Sequence, residues 1–207
     1  MAKKNNSNLL LMAALAAVFV LSDNKKEPAP GQKKVIVPAK LNSIEFFVRL
    51  KPYALALNKK IGVPYLFIMA QIALETAFGK SSLFYKYWNV GGIKAKPGQK
   101  YVELMTWEYV KDRNKYPKRD KSKDKFINEK QVWKIRVPQK FAIYDNLPDG
   151  LAQYAKILQN RYFKKYANKT SDPKKYARLI QSGKPKYATD INYIPKIDKL
   201  IDLAAKA

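Results

Sequence analysis

From Asn42 onward the apolar positions follow a helical rhythm, interrupted once by an alternating one. Asn42 with Glu45 three residues later has the form of a capping box, and Phe46, Leu50, Ala54 and Leu57 then return on one helical face until Gly62. Pro64 opens a second helix, predicted to run to Phe78 with Gly79 as its stop. Asp149 reads as the cap of a run carrying Leu151, Tyr154, Ala155, Leu158 and Tyr162. Asp172-Pro173 starts another helix, ended by Gly183, and a last one begins near Asp190 or Asn192 with Ile194, Ile197, Leu200 and Ile201. Between Gly91 and Tyr144 the period falls to two. YVELMTWEYV (101–110) and QVWKIRV (131–137) read as strands, and KDRNKYPKRDKSKDK (111–125) reads as a charged loop between them. The predicted fold is α+β, mostly helical with a small β-lobe.

The first 40 residues follow different rules. Polar MAKKNNSN precedes the apolar run LLLMAALAAVFVL, Leu9 to Leu21. Its length suits a signal-peptide core and is short for a membrane span. Residues 1–22 are expected to be a signal peptide, cleaved after Ser22, or an uncleaved N-terminal membrane anchor; a buried core helix is the alternative, which the charged flanks do not need. Residues 23–40, with Pro28, Pro30, Gly31 and Pro38 among lysines, have a linker's composition. The folded domain is then 41–207. Export is expected, to a periplasmic, membrane-anchored or extracellular location, or to a virion if the source is a phage.

Composition removes whole classes of chemistry. The chain has no His and no Cys, which excludes His-ligated zinc, Ser-His and Cys-His couples, and thiolate nucleophiles. Carboxylates, Lys, Tyr and Ser remain. No cofactor and no metal is expected. With 41 Lys plus Arg against 16 Asp plus Glu, the net charge is +25. Such a charge speaks of partners rather than fold: nucleic acid, an anionic membrane surface, or a carboxylate-bearing wall. A plain solvated lysine surface is the bland alternative.

One acid stands out. The helix PYLFIMAQIALETAFG is apolar nearly all round and carries a single carboxylate, Glu75, near its C-terminal end. Burial and the negative end of the helix dipole both disfavour the ionised form, the direction a general acid requires. The alternative is a half-exposed Glu paired with Lys80 or another nearby lysine.

Four blocks, AQIALETAFGKS (70–81), WNVGGIKA (88–95), FAIYDNLPDGLAQYAKIL (141–158) and YATDINYIPKI (187–197), occur in the order seen in the glucosaminidase family, glycoside hydrolase family 73, which the chain resembles over residues 42–203. That family includes the wall-cutting domain of flagellar rod assembly proteins. The resemblance implies a lysozyme-like fold and hydrolysis of the β-1,4 bond after N-acetylglucosamine in peptidoglycan. It makes Glu75, within the AQ-x-x-LE block that also holds Gln71, the catalytic acid. The family's Asn-Leu-Phe-Gly-Ile-Lys block is matched at Asn89, Gly92, Ile93 and Lys94, but Val90 and Gly91 depart from it. Tyr187 of the YATD block is implied to line the site near the cleaved bond, and Gln71, Trp88 and Asn89 are further candidate substrate-binding residues.

A second carboxylate usually assists sugar hydrolysis. Glu103, Glu108 and Glu129 are available. Alternation places Glu108 with Val102, Leu104 and Thr106, and Glu103 with Tyr101, Met105, Trp107 and Tyr109. Thr106-Trp107-Glu108-Tyr109 resembles the family's Thr-x-Glu-Tyr, which favours Glu108; substrate-assisted catalysis by the N-acetyl group is the other route. Trp88, Trp107, Trp133 and Tyr187 are candidate sugar platforms, with core packing as the competing role for each. The expected partners are peptidoglycan and an anionic wall or membrane surface, not nucleic acid, and the protein is expected to be a monomer. The competing function is a non-catalytic basic module binding wall polymer or nucleic acid on a lysozyme-like fold.

Overall fold

Capping decides where most of the helices begin. The computed structural model describes residues 41–207, so the apolar run and linker of residues 1–40 lie outside the described residues. In helix α1 (Ser43–Ile61) the Asn42 side chain accepts from the backbone N–H groups of Ile44 and Glu45, and Glu45 accepts from the Asn42 N–H at 3.0 Å. This is the predicted capping box, and Gly62 closes the helix at φ 67°.

Helix α2 (Tyr65–Thr76) ends two residues earlier than predicted. Ala77, Phe78 and Gly79 all have left-handed backbone, with φ of 50°, 56° and 79°. Left-handed alanine and phenylalanine are uncommon, and Thr76 holds the turn: its hydroxyl donates to Ile72 O at 2.6 Å and accepts from the Gly79 N–H at 2.9 Å. A short helix, α3 (Ser82–Tyr87), follows with Ser81 as its cap; its six residues offer too little periodicity to be read from the sequence.

Helix α4 (Leu147–Leu158) starts before the expected position. Asn146, not Asp149, is the cap: its side chain accepts from the Asp149 N–H at 2.9 Å, and Asp149 sits in the first turn. Helix α5 (Pro173–Ser182) is capped by Asp172 as expected, and α6 is Tyr193–Ala204. Asp190 lies before α6, bonded to the Asn192 N–H and to Lys196.

Helix α2 is the central element, packed against α1, α5 and α6. Phe67, Ile68, Met69, Ala70, Gln71, Ile72 and Ala73 are all buried. Each large apolar side chain so buried contributes about 1.5–3 kcal/mol. Where α4 crosses the turn after α3, a Cβ on Gly150 would stand 2.0 Å from Trp88 O, so only glycine admits this approach.

The β-lobe has three antiparallel strands in the order β1-β3-β2: β1 Tyr101–Val110, β2 Asp120–Ile127 and β3 Val132–Ala142. Strand β2 corrects the sequence reading, because it forms from the segment expected to be a charged loop. Its sequence, DKSKDKFI, has little β propensity. Tertiary contacts supply what propensity lacks. Asp124 takes ion pairs from Arg119 at 2.8 Å and Arg113 at 3.2 Å, and Arg113 lies over the Trp133 ring at 3.7 Å. Part of the positive charge of 111–125 is therefore structural.

Candidate active site

The last turn of α2 presents Gln71 and Glu75, one helical turn apart and so on the same face. Gln71 is fully buried and its Nε2 donates to Glu75 Oε1 at 2.7 Å. From α6, the Tyr193 hydroxyl donates to Gln71 Oε1 at 2.7 Å. An amide can accept at one end and donate at the other, so this pair of bonds fixes which way the Gln71 side chain faces. With Oε1 of Glu75 receiving the Gln71 donor, the proton of the neutral acid belongs on Oε2.

Glu75 is half-buried, so its carboxyl keeps a path to solvent. Among the described residues no lysine forms an ion pair with it, Lys80 included; the neutral Gln71 is its side-chain partner. Desolvation pushes its pKa up to about 8, against the smaller opposing effect of the Gln71 hydrogen bond. Glu75 is thus mostly protonated at neutral pH.

Three tyrosines enclose this acid. Tyr154, Tyr187 and Tyr193 are all buried, and burial raises the pKa of each hydroxyl, with the Glu75 charge adding in the same direction. All three stay neutral. The Tyr187 ring packs 5.1 Å from Phe163 and 5.7 Å from Tyr193, which makes it a wall of the site rather than an open platform. Tyr154 and Tyr193 were assigned no site role from sequence. Both read as core positions on amphipathic helices, and no local signal shows that α6 meets α2 across 122 residues.

Glu108 sits on the half-buried face of β1, beside the buried Thr106, as the alternation predicts. Lys94 reaches it at 2.8 Å. The block containing Lys94 is fixed by Asn89, which is buried and donates to Ile93 O and Ala142 O, both at 2.8 Å, while accepting from the Ile93 N–H at 2.7 Å. Asn89 therefore ties the segment after α3 to the end of β3. Trp88 is buried against Phe84, in a packing position. Trp133 is held between Phe126 and Arg113. Glu103 and Glu129 are exposed, Glu103 on the opposite face of β1 from Glu108 and Glu129 in the turn before β3. Among the described residues no group of three or more carboxylates could hold a metal ion.

A neutral carboxylic acid, partly open to solvent and backed by a neutral hydrogen-bond relay, suits protonation of a leaving oxygen. Residues 51–206 match the sequence pattern of the glucosaminidase family, described as mannosyl-glycoprotein endo-beta-N-acetylglucosaminidase. The chain belongs to this family. The fold is the lysozyme-like one expected from sequence. The glucosaminidase chain is 26% identical over 170 residues to the peptidoglycan hydrolase FlgJ of Salmonella typhimurium, covering 79% of this chain and 47% of FlgJ. It thus spans about half the length of that relative. Its structure is similar to the catalytic domain of the autolysin Auto from Listeria monocytogenes, with a TM-score of 0.61, 27% identity, and coverage of 80% of this chain and 87% of that one. The glycoside hydrolase domain of Salmonella typhimurium FlgJ shares the fold, with a TM-score of 0.57 at 24% identity over 80% of this chain and 90% of the domain.

Proposed function

We propose that this glucosaminidase hydrolyses the β-1,4 bond after N-acetylglucosamine in the glycan strands of peptidoglycan. The observation that carries the reading is Glu75, held protonated up to about pH 8 at the partly open end of α2. Glu75 Oε2–H donates its proton to the glycosidic oxygen as the bond to the anomeric carbon breaks, and the positive charge that develops on the sugar ring needs an anionic or nucleophilic partner. Glu108 is the protein's candidate for that part, because it lies on the half-buried face of β1, in an ion pair with Lys94. Gln71, Tyr187 and Tyr193 shape and orient the acid. Relatives that bear the name peptidoglycan hydrolase or autolysin support this choice of substrate.

Wall hydrolysis places the protein outside the cytoplasmic membrane, and the apolar run at residues 9–21 supplies the export signal or tether in this reading. Among the described residues no helix is long and apolar enough to cross a membrane. The protein acts as a monomer on wall polymer, and its charge of +25 holds it on anionic surface. The test is mass spectrometry of the fragments released from purified peptidoglycan. Reducing ends at N-acetylglucosamine support the assignment, and reducing ends at N-acetylmuramic acid, or no release, refute it.

A further inference from the structure

The face of β1 opposite Glu108 is unusual for the solvated side of a sheet. Antiparallel sheets ordinarily present polar side chains to water. Here Tyr101, Trp107 and Tyr109 share that face and are 47%, 39% and 46% exposed. Isolated exposed aromatics need no explanation, but a row of them along one strand does. The row from Tyr101 to Tyr109 extends about 27 Å at the rise of an antiparallel strand.

Beside it runs a row of cations on β3. Glu103 pairs in register with Lys140, Trp107 with Arg136, and Tyr109 with Lys134. The Lys140 ammonium lies 4.2 Å from the Tyr101 ring centre, and that of Lys134 lies 4.7 Å from Trp107 and 5.9 Å from Tyr109. Aromatic faces and positive charges therefore lie side by side along one open surface, with Glu103 and Asp120, the latter in register with Arg136, as its acids. These are the two features needed to hold a polymer of rings carrying anionic groups: flat apolar platforms for the rings, and ammonium and guanidinium donors for the charges.

We infer that this face of the β-lobe is a second glycan-binding surface, which holds a wall strand by stacking sugar rings on Tyr101, Trp107 and Tyr109 while Lys134, Arg136 and Lys140 pair with the carboxylates of its peptide stems. The occupant rests on the proposed peptidoglycan substrate. Because these side chains point away from the Glu108 face, the strand held here is distinct from the one being cut. Binding at a second site raises the local concentration of cleavable strand at the catalytic one. Aromatics among cations also suit single-stranded nucleic acid; a glycosidase family fold and a carboxylate-rich wall favour the sugar polymer.

The test uses the full chain in three forms: wild type, Tyr101→Ala with Trp107→Ala and Tyr109→Ala, and Lys134→Gln with Lys140→Gln. Each also carries Glu75→Gln for the adsorption assay, so that binding to insoluble peptidoglycan is measured without cutting. Thermal melting checks folding, and Trp107→Phe serves as a conservative variant that keeps one platform. The aromatic variant should lose about tenfold or more in adsorption, the scale of ring stacking on aromatic platforms, and the lysine variant should lose adsorption as well. With Glu75 restored, all forms should cleave a short soluble glycan at the wild-type rate. If only the lysine variant loses adsorption, the surface is a plain electrostatic one and the inference fails. It fails equally if the aromatic variant loses affinity for a single-stranded oligonucleotide but not for peptidoglycan. A wild-type protein that adsorbs through this face but cleaves no glycan would refute the proposed function and leave the binding surface standing.

Discussion

The Tyr193 hydroxyl and the Gln71 side-chain oxygen are 2.7 Å apart, joining the helix that closes the chain to the helix that carries the acid. Gln71 in turn donates to Glu75 Oε1 at 2.7 Å. The relay has a direction, because tyrosine donates at one end and the carboxyl accepts at the other. Tyr193→Phe removes the anchor and leaves Gln71 free to turn. Losing one such bond is worth about 0.5–1.5 kcal/mol, so kcat should fall roughly two- to twelvefold while KM for soluble glycan stays near its original value. Steady-state kinetics of the folded variant check this.

Gln71 also sets the pH range. Its hydrogen bond lowers the Glu75 pKa, while burial raises it to about 8. Gln71→Leu keeps the burial and removes the donor, so the Glu75 pKa should rise further. The acid works protonated, and activity falls as pH climbs through its pKa. The alkaline limb of kcat/KM should therefore lie near pH 8 in the wild type and move to higher pH in Gln71→Leu. A limb that moves down would mean that the bond favours the neutral acid.

The same pKa has a consequence for stability. Between the ordinary glutamate value of 4.5 and about 8 the folded protein holds a proton on Glu75 that the unfolded chain has lost. Stability from this group is therefore fully present below 4.5 and declines as pH rises towards 8. Glu75→Gln has no such proton to lose, and its side-chain oxygen can still accept from Gln71. The variant should become more stable than the wild type as pH increases. The gap should be on the order of 2 kcal/mol at pH 9, discounted for the carboxyl's partial exposure. Melting temperatures of both proteins at pH 5 and pH 9 measure it, and no gap at pH 9 would contradict the buried acid.

Much of this was legible in the chain. Glu75 stood out because a single carboxylate interrupts an otherwise apolar helix, and the Asn42–Glu45 and Asp172-Pro173 signals marked two helix starts correctly. The rest depends on contacts remote in sequence. Strand β2 carries few apolar residues and owes its place to β3 and to the Arg119–Asp124 pair. Tyr193 looks like any other core position of α6 until the helix is packed onto α2. Asn89, a candidate for substrate contact, is instead surrounded by the backbone of the segments it joins.

That placement makes Asn89 a stability residue. Asn89→Ala would take this partner from the Ala142 carbonyl and the Ile93 N–H, while the Ile93 carbonyl keeps the Ala142 N–H. Each unsatisfied group costs about 1–3 kcal/mol before relaxation or water replaces the bond. The variant should melt several degrees lower and yet bind soluble glycan with near-normal KM at permissive temperature. A large rise in KM with unchanged melting would restore the substrate-binding role.

Glu108 separates two mechanisms. If it stabilises the developing charge, Glu108→Gln should lower kcat by about 10²-fold or more, the scale of a lost acid–base or charge-stabilising group. Lys94→Met, which removes its ion-pair partner, should cost less. Near-normal turnover of folded Glu108→Gln would assign the role to the substrate's own N-acetyl group.

The central claim is that Glu75 is the proton donor. Fragment release from purified peptidoglycan, followed by mass spectrometry at pH 6 for wild type and Glu75→Gln, addresses it most directly. The wild type should yield fragments reducing at N-acetylglucosamine, and the folded variant should release them at least about 10²- to 10⁴-fold more slowly. Release by Glu75→Gln at a rate close to the wild type would contradict the account.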